Sequence, residues 1–277
     1  MGVIIGIDIG GTNTKIVGLR DGKVFSPVHV RATDPVSSLY GAFGKFTTDN
    51  DIGLSDIEKV MITGVGSSFI KDDIFGVETV KVDEFVACGL GGLFLSGLSK
   101  AVIISMGTGT AFIAADGGKV KHLGGSGVGG GTLTGLSKKL IGISHMEDIV
   151  DLAKDGDLKM IDLLISDITA ESGPTLLPDI TASNFGKVND LATKADIALG
   201  IINAIFQTAG MLAVFAARTT GDTKAVVTGY LATVPQAKDI FASITKLHGT
   251  EFIIPDTAEY ATAIGAAISC IDKAGTN

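Results

Sequence analysis

The apolar positions of this chain fall into two copies of one pattern. Val3 to Asp8 is a short apolar run ending in a carboxylate, Gly10 to Thr12 a turn, and Lys15 to Leu19 a second strand; Asp21-Gly22 then reads as a hairpin into Val24 to Val28. The same order returns as Ala101 to Met106, a turn at Gly107 to Gly109, Thr110 to Ala115, and Asp116-Gly117-Gly118 as a hairpin into Lys119 to Leu123. One supersecondary unit is used twice. Further strands are predicted at Lys59 to Thr63 and Glu78 to Val82 in the first copy, and at Lys224 to Thr228 and Glu251 to Ile254 in the second. Helices are predicted over Val36 to Thr47, Glu84 to Leu98, Thr132 to Ile141, Leu191 to Arg218 and Glu259 to Lys273. This alternation predicts an α/β chain with mixed sheets in two domains, residues 1–98 and 99–277. The boundary falls near Ser99, and the C-terminal helix, which bears Gly265, is a candidate to cross back over it. The long Leu191 to Arg218 stretch is apolar on more than one face, so burial is expected between domains or against a second copy in a homodimer.

Composition sharpens this reading. The 38 glycines mostly interrupt apolar runs at defined points, which favours tight turns over flexible linkers. With 22 Lys and Arg against 30 Asp and Glu the net charge is −8, which argues against non-specific nucleic-acid binding. The two cysteines, Cys88 and Cys270, have neither metal-ligand nor disulfide-framework spacing, as expected of a cytoplasmic protein. The N-terminus reaches strand and acid at once, so no export signal or membrane span is expected.

Asp8-Ile9-Gly10-Gly11-Thr12-Asn13-Thr14-Lys15 puts a carboxylate at a strand end before a glycine turn with hydroxyls. Such a turn offers backbone N–H groups to phosphate, and Asp8 can hold Mg²⁺ directly or through water. Met106-Gly107-Thr108-Gly109-Thr110 supplies a second turn at the equivalent position, so the two can grip a polyphosphate across a cleft. Glu84 opens a helix, where it either accepts a proton from a substrate hydroxyl or serves only the first turn, with Asp83 as N-cap. The run containing Gly124, Gly127, Gly129, Gly130 and Gly131 precedes another helix; it either binds an anion, admits substrate to the backbone, or is a mobile loop.

The duplicated unit resembles the superfamily of actin, the heat-shock ATPases and the sugar kinases. That implies a duplicated actin-like (ribonuclease H-like) ATPase fold with two mixed-sheet domains around a nucleotide cleft. Val82-Asp83-Glu84-Phe85, the segment Gly124 to Leu136, and Thr181-Ala182-Ser183-Asn184-Phe185-Gly186 resemble the type II pantothenate kinases. The resemblance implies ATP- and Mg²⁺-dependent phosphorylation of pantothenate, the first step towards coenzyme A, by a dimeric enzyme. It makes Glu84 the catalytic residue, Lys15 a phosphate-side lysine, and Tyr230, in Thr228-Gly229-Tyr230, a neighbour of the adenosine pocket. The family carries an arginine before the glycine-rich run, and here the residues are Lys121-His122-Leu123. Either Lys121 or His122 substitutes for it in substrate binding, or the substrate is not pantothenate. An amino-sugar kinase and a non-catalytic nucleotide or acyl-CoA sensor of the same fold are the alternatives.

Overall fold

The computed structural model describes residues 2–11, 13–31, 34–169 and 178–272; Thr12 and Lys273 lie outside them. The first copy opens with β1 (Val3–Ile9), β2 (Asn13–Arg20) and β3 (Lys23–Arg31). Asp21 and Gly22 take positive φ angles of 51° and 73°, a turn whose twist matches the antiparallel strands it joins. Helix α1 (Pro35–Asp49) follows; the Asp34 side chain accepts from the Ser37 N–H at 2.6 Å, and Pro35 supplies a fixed φ at its start. Leu39, Phe43 and Phe46, one helical turn apart, are buried with Val3, Ile5, Ile7 and Ile9. With β4 (Ile57–Thr63) and β5 (Thr79–Lys81) the sheet is ordered β3-β2-β1-β4-β5, antiparallel among its first three strands and parallel beyond.

Helix α2 (Glu84–Ser96) stops two residues before the predicted end, capped by Gly97 at φ 67°. The second copy then repeats the hairpin as β6 (Lys100–Met106), β7 (Thr110–Asp116) and β8 (Lys119–Ser126), its turn made by Gly117 and Gly118 at φ 50° and 86°. Next come α3 (Gly130–Leu140), α4 (Met146–Leu152), β9 (Leu163–Leu164), α5 (Ile165–Ile168), β10 (Thr181–Ser183) and the 27-residue α6 (Lys194–Thr220). The chain closes with β11 (Lys224–Thr228), α7 (Ala237–His248), β12 (Glu251–Ile253) and α8 (Ala261–Asp272). The second sheet is ordered β8-β7-β6-β11-β12, the same arrangement as the first. Helix α7 went unassigned in the sequence because it has no side-chain cap and buries only Ala237, Phe241 and Ile244.

Two helices tie the copies together. The C-terminal α8 packs on β1, β2 and β4 of the first sheet, while α2 packs on β6, β7, β8 and β11 of the second and also crosses α8. At the crossing the backbones touch. A Cβ added at Gly91 would stand 1.8 Å from the Ala261 carbonyl oxygen, and one at Gly265 would stand 1.8 Å from that of Ala87. Helix α6 is apolar because 14 of its residues are buried in this chain's own core, among them Ile201, Ile202, Ile205 and Phe206. That burial also answers its composition, which by length and hydropathy alone would suit a membrane span. Exposed Leu212 and Phe215 are what remains for another surface.

Gly265→Ala is expected to lower unfolding stability by about 2–3 kcal/mol, at the upper end of overpacking costs, because backbone must move to admit the methyl group. Denaturant unfolding checks this; an unchanged midpoint would mean that the helices separate at no cost.

Candidate active site

Parallel strands bring their carboxyl ends to one edge of each sheet, where open α/β sheets bind ligands. Along β1, Ile5, Ile7 and Ile9 enter the core under α1, so Gly6 and Asp8 face the other way; a Cβ on Gly6 would meet the Ala263 carbonyl of α8 at 2.1 Å. Asp8 lies directly opposite buried Lys15 on β2 and buried Thr63 on β4. Burial pushes the Asp8 carboxyl above the ordinary carboxylate range, and Lys15 opposes that shift.

Gly64, which sequence reasoning missed, closes this corner. At φ 85° it places an added Cβ 2.6 Å from Asp8 Oδ1, so nothing larger fits. The signal was in the repeat: Thr63-Gly64 after β4 matches Thr228-Gly229 after β11, where Gly229 has φ 87° and an added Cβ would stand 2.5 Å from the Met106 carbonyl oxygen. The copies differ where Asp8 has its counterpart. Aligning Asp8-Ile9-Gly10 with Ser105-Met106-Gly107 puts a hydroxyl in the second copy in place of the carboxylate.

In the first turn the Gly10 N–H donates to the Asn13 carbonyl at 2.9 Å, and Gly11 borders open space. The second turn is tighter: Gly107 N–H donates to the Gly109 carbonyl at 2.9 Å, and Met106 pairs with Thr110 where Ile9 pairs with Thr14. The Thr108 and Gly109 N–H groups have no backbone acceptor among the described residues, so they remain for a ligand, and Thr110 donates its hydroxyl to the Val128 carbonyl at 2.8 Å. The glycines before α3 correct the sequence reading. Gly130 and Gly131 N–H groups are already spent on the Gly107 and Thr108 carbonyls, each at 2.9 Å, and the Gly129 N–H donates to the Thr132 hydroxyl at 3.2 Å. A Cβ on Gly129 would stand 2.7 Å from the Gly109 backbone. These glycines seat the second turn on the helix instead of offering amides to an anion. Gly127 borders open space, and Gly124, at φ 152°, adjoins a bulge where Leu123 is the extra residue.

Glu84 is the first residue of α2, held by Asp83, whose carboxylate accepts from the Phe85 and Val86 N–H groups at 2.9 and 3.0 Å. Glu84 keeps contact with solvent, while partial burial, then Asp8, then Asp83, hold its carboxyl above the ordinary range. One turn deeper, the Cys88 thiol lies 3.3 Å from the Thr262 hydroxyl and donates to that of Ser105 at 3.6 Å. Burial pushes this thiol up to about 11, so it stays neutral.

The two candidate replacements for the family arginine part company. His122 stacks on Phe85, the neighbour of Glu84, with ring centroids 3.9 Å apart and planes 10° from parallel. Lys121, opposite Ala114, projects from the other face of the sheet into a hollow it shares with Lys100, Asp116 and Asp222. Tyr230 stands at the rim, its hydroxyl donating to Glu147 Oε1 at 2.8 Å. The Asn184-Phe185-Gly186 element has a structural explanation that the sequence did not reveal. Buried Asp162 accepts from Thr181 Oγ1 at 3.0 Å, Phe185 N–H at 2.9 Å and Asn203 Nδ2 at 2.7 Å, fastening this segment to α6.

Among the described residues no cluster of three or more His, Cys, Asp or Glu side chains is placed to hold a metal. Asp8 alone fits a hard divalent cation that takes its remaining ligands from phosphate and water: its carboxylate is half-buried, and Lys15 only partly compensates its charge.

Residues 98–247 match the family model described as Fumble. The chain is 31% identical over 196 residues to a type II pantothenate kinase of Bacillus cereus, with 66% of each chain covered. It is 27% identical over 286 residues to one from Bacillus thuringiensis subsp. konkukian, covering 97% of this chain and 98% of that one. Among solved structures, the activator of the 2-hydroxyisocaproyl-CoA dehydratase from Clostridium difficile, with bound ADPNP, superposes with a TM-score of 0.69 at 19% identity, covering 99% of this chain and 96% of that one. That likeness carries the fold, which is the expected actin-like ATPase fold of two mixed sheets. On the Fumble match and the whole-length likeness to these kinases, the chain belongs to the type II pantothenate kinase family.

Proposed function

We propose that this protein transfers the γ-phosphoryl group of ATP to the terminal hydroxyl of pantothenate, giving 4'-phosphopantothenate and ADP, the first step of coenzyme A synthesis. The observation that carries this reading is Glu84, poised beside Asp8 at the carboxyl edge of the first sheet and next to the Phe85–His122 stack. Glu84 takes the proton of the attacking hydroxyl as the new oxygen–phosphorus bond forms and the bond to ADP breaks. Its raised affinity for protons makes it a better base than an ordinary carboxylate. The free amides of Thr108 and Gly109, the open turn at Gly10 and Gly11, and the Lys15 ammonium hold the phosphates. Mg²⁺ bound with the nucleotide at Asp8 supplies positive charge to the phosphate oxygens. His122, held flat against Phe85, presents its ring nitrogens on the substrate side; Lys121, on the far face, takes no part. Residues 1–98 and 99–277 form the two subdomains of this cleft, with α8 returned to the first.

The reading extends to a cytoplasmic homodimer, for which exposed Leu212 and Phe215 on α6 and Leu136 and Leu140 on the adjoining α3 supply an apolar face. Sedimentation at micromolar concentration should show about twice 28.3 kDa; a species only at 28.3 kDa would remove this proposal.

Glu84→Gln should lower phosphoryl transfer to pantothenate by roughly 10²–10⁴-fold while leaving nucleotide binding intact, as measured by ADP release with pantothenate, pantetheine and amino sugars as acceptors. Near wild-type turnover would reduce Glu84 to a first-turn helix residue, and turnover with amino sugars alone would sink the pantothenate assignment.

Asp8→Asn should do two opposite things. An acid whose proton affinity is raised by folding stabilises the protein when protonated, and that contribution is lost as pH rises from the ordinary carboxylate range through the raised folded value. At neutral pH the neutral amide escapes the penalty, so the thermal midpoint should rise while Mg-ATP-dependent turnover falls. A lower midpoint at pH 7 would count against the buried Asp8 carboxylate as a stored cost.

A further inference from the structure

Away from the α2–α8 crossing, a second contact joins the two copies at the open rim of the cleft. Arg31, the last residue of β3, forms an ion pair with Glu147 in the first turn of α4, and its guanidinium donates to the Tyr230 hydroxyl at 3.4 Å. Tyr230 donates in turn to the same Glu147 oxygen at 2.8 Å, which closes a three-membered ring of hydrogen bonds. His29, two residues before Arg31, lies with its ring centroid 6.0 Å from that of Tyr230 and its Nε2 2.9 Å from Asn13 Oδ1.

What these residues are attached to gives the contact its meaning. Arg31 pairs across the hairpin with Asn13, whose carbonyl accepts the hydrogen bond that closes the first glycine turn. Tyr230 follows Gly229, which is seated against the Met106 carbonyl at the stem of the second. Glu147 stands on the helix after α3, whose first residues bind the Gly107 and Thr108 carbonyls. All three side chains are therefore one or two rigid steps from the two turns that face each other across the cleft.

We propose that Arg31, Glu147 and Tyr230 form a clasp that fixes the separation of the two turns and must open for nucleotide to leave. Arg31 and Glu147 are positioning residues, and the proposal rests on the nucleotide-binding reading above. The Arg31 and Glu147 side chains are each more than half exposed, so their ion pair is weak enough to open on every turnover.

Two measurements test it. Stopped-flow dissociation of N-methylanthraniloyl-ADP should be about two- to fivefold faster in Arg31→Ala and in Glu147→Ala, the range expected for an exposed ion pair. The double variant should be no faster than either single one, because each change breaks the same contact. At high salt the wild type should approach the variants. Unchanged rates in both single variants, or a double variant whose effect is the product of the two, would overturn the clasp. The second measurement needs no nucleotide: hydrogen exchange at 28–31 in the unliganded protein should rise in Glu147→Ala, whose changed side chain lies in the other copy. Unaltered exchange there overturns the clasp and leaves the kinase reading standing, whereas a wild type that binds no ADP analogue overturns the nucleotide reading and the clasp with it.

Discussion

The contact of two helix backbones at Gly91 and Gly265 fixes the distance between the two sheets, and the site inherits its dimensions from that distance. No side chain intervenes at the crossing, so the separation is set by carbonyl oxygens and α-carbons, which compress little. Gly6 extends the same close approach to β1 through Ala263. Asp8 lies two residues further along that strand, and Glu84 lies two helical turns above Gly91 on α2. The two carboxylates are thus mounted on elements that the crossing clamps together. The effect of Asp8 on the proton affinity of Glu84 follows from backbone packing at a point remote from both.

The duplication is nearly symmetric in backbone and unequal in chemistry. Strand order, hairpin turns and the strand-ending Thr-Gly pairs repeat, and each glycine of those pairs presses on the strand that precedes a glycine turn. The first copy carries Asp8, Lys15 and Glu84 on that frame, while the second carries Ser105 and a turn whose Thr108 and Gly109 N–H groups have no backbone acceptor among the described residues. The charged chemistry sits on one sheet and neutral donors face it. On the function proposed above, a second carboxylate opposite Asp8 would repel the phosphate oxygens assigned to the Thr108 and Gly109 amides.

Much of this was legible in the sequence, because strands flanked by Asp-Gly or Gly-Gly turns and by terminal glycines are marked by local chemistry. What the sequence could not assign were the partners. The glycines before α3 permit close approach in either reading, and only the structure shows that carbonyls of the second turn take up their N–H groups. One bulge at Leu123 reverses the parity of the residues before it, which turns His122 onto Phe85 and Lys121 to the opposite face. Helix α2 is apolar nearly all round, so its sequence has no single core face from which to infer that it touches both sheets. Asp162 carries no motif in the sequence; its carboxylate accepts from Thr181, Asn184, Phe185 and Asn203, residues distant in sequence.

The site holds charge that the fold alone does not satisfy. Asp8 is half-buried with one partly compensating ammonium, and Glu84 is held above its ordinary range by partial burial and by two neighbouring acids. A protein of net charge −8 gains nothing from adding repulsion at such a place unless a cation and its ligand arrive to relieve it. The surrounding packing tolerates the cost because glycines bring rigid backbone to the carboxylates, as Gly64 does at Asp8, leaving them little room to turn away. On the function proposed above, an arrangement that is unfavourable when empty would bind a metal–nucleotide pair through the difference. The same desolvation that raises proton affinity would then be the source of affinity for a divalent cation.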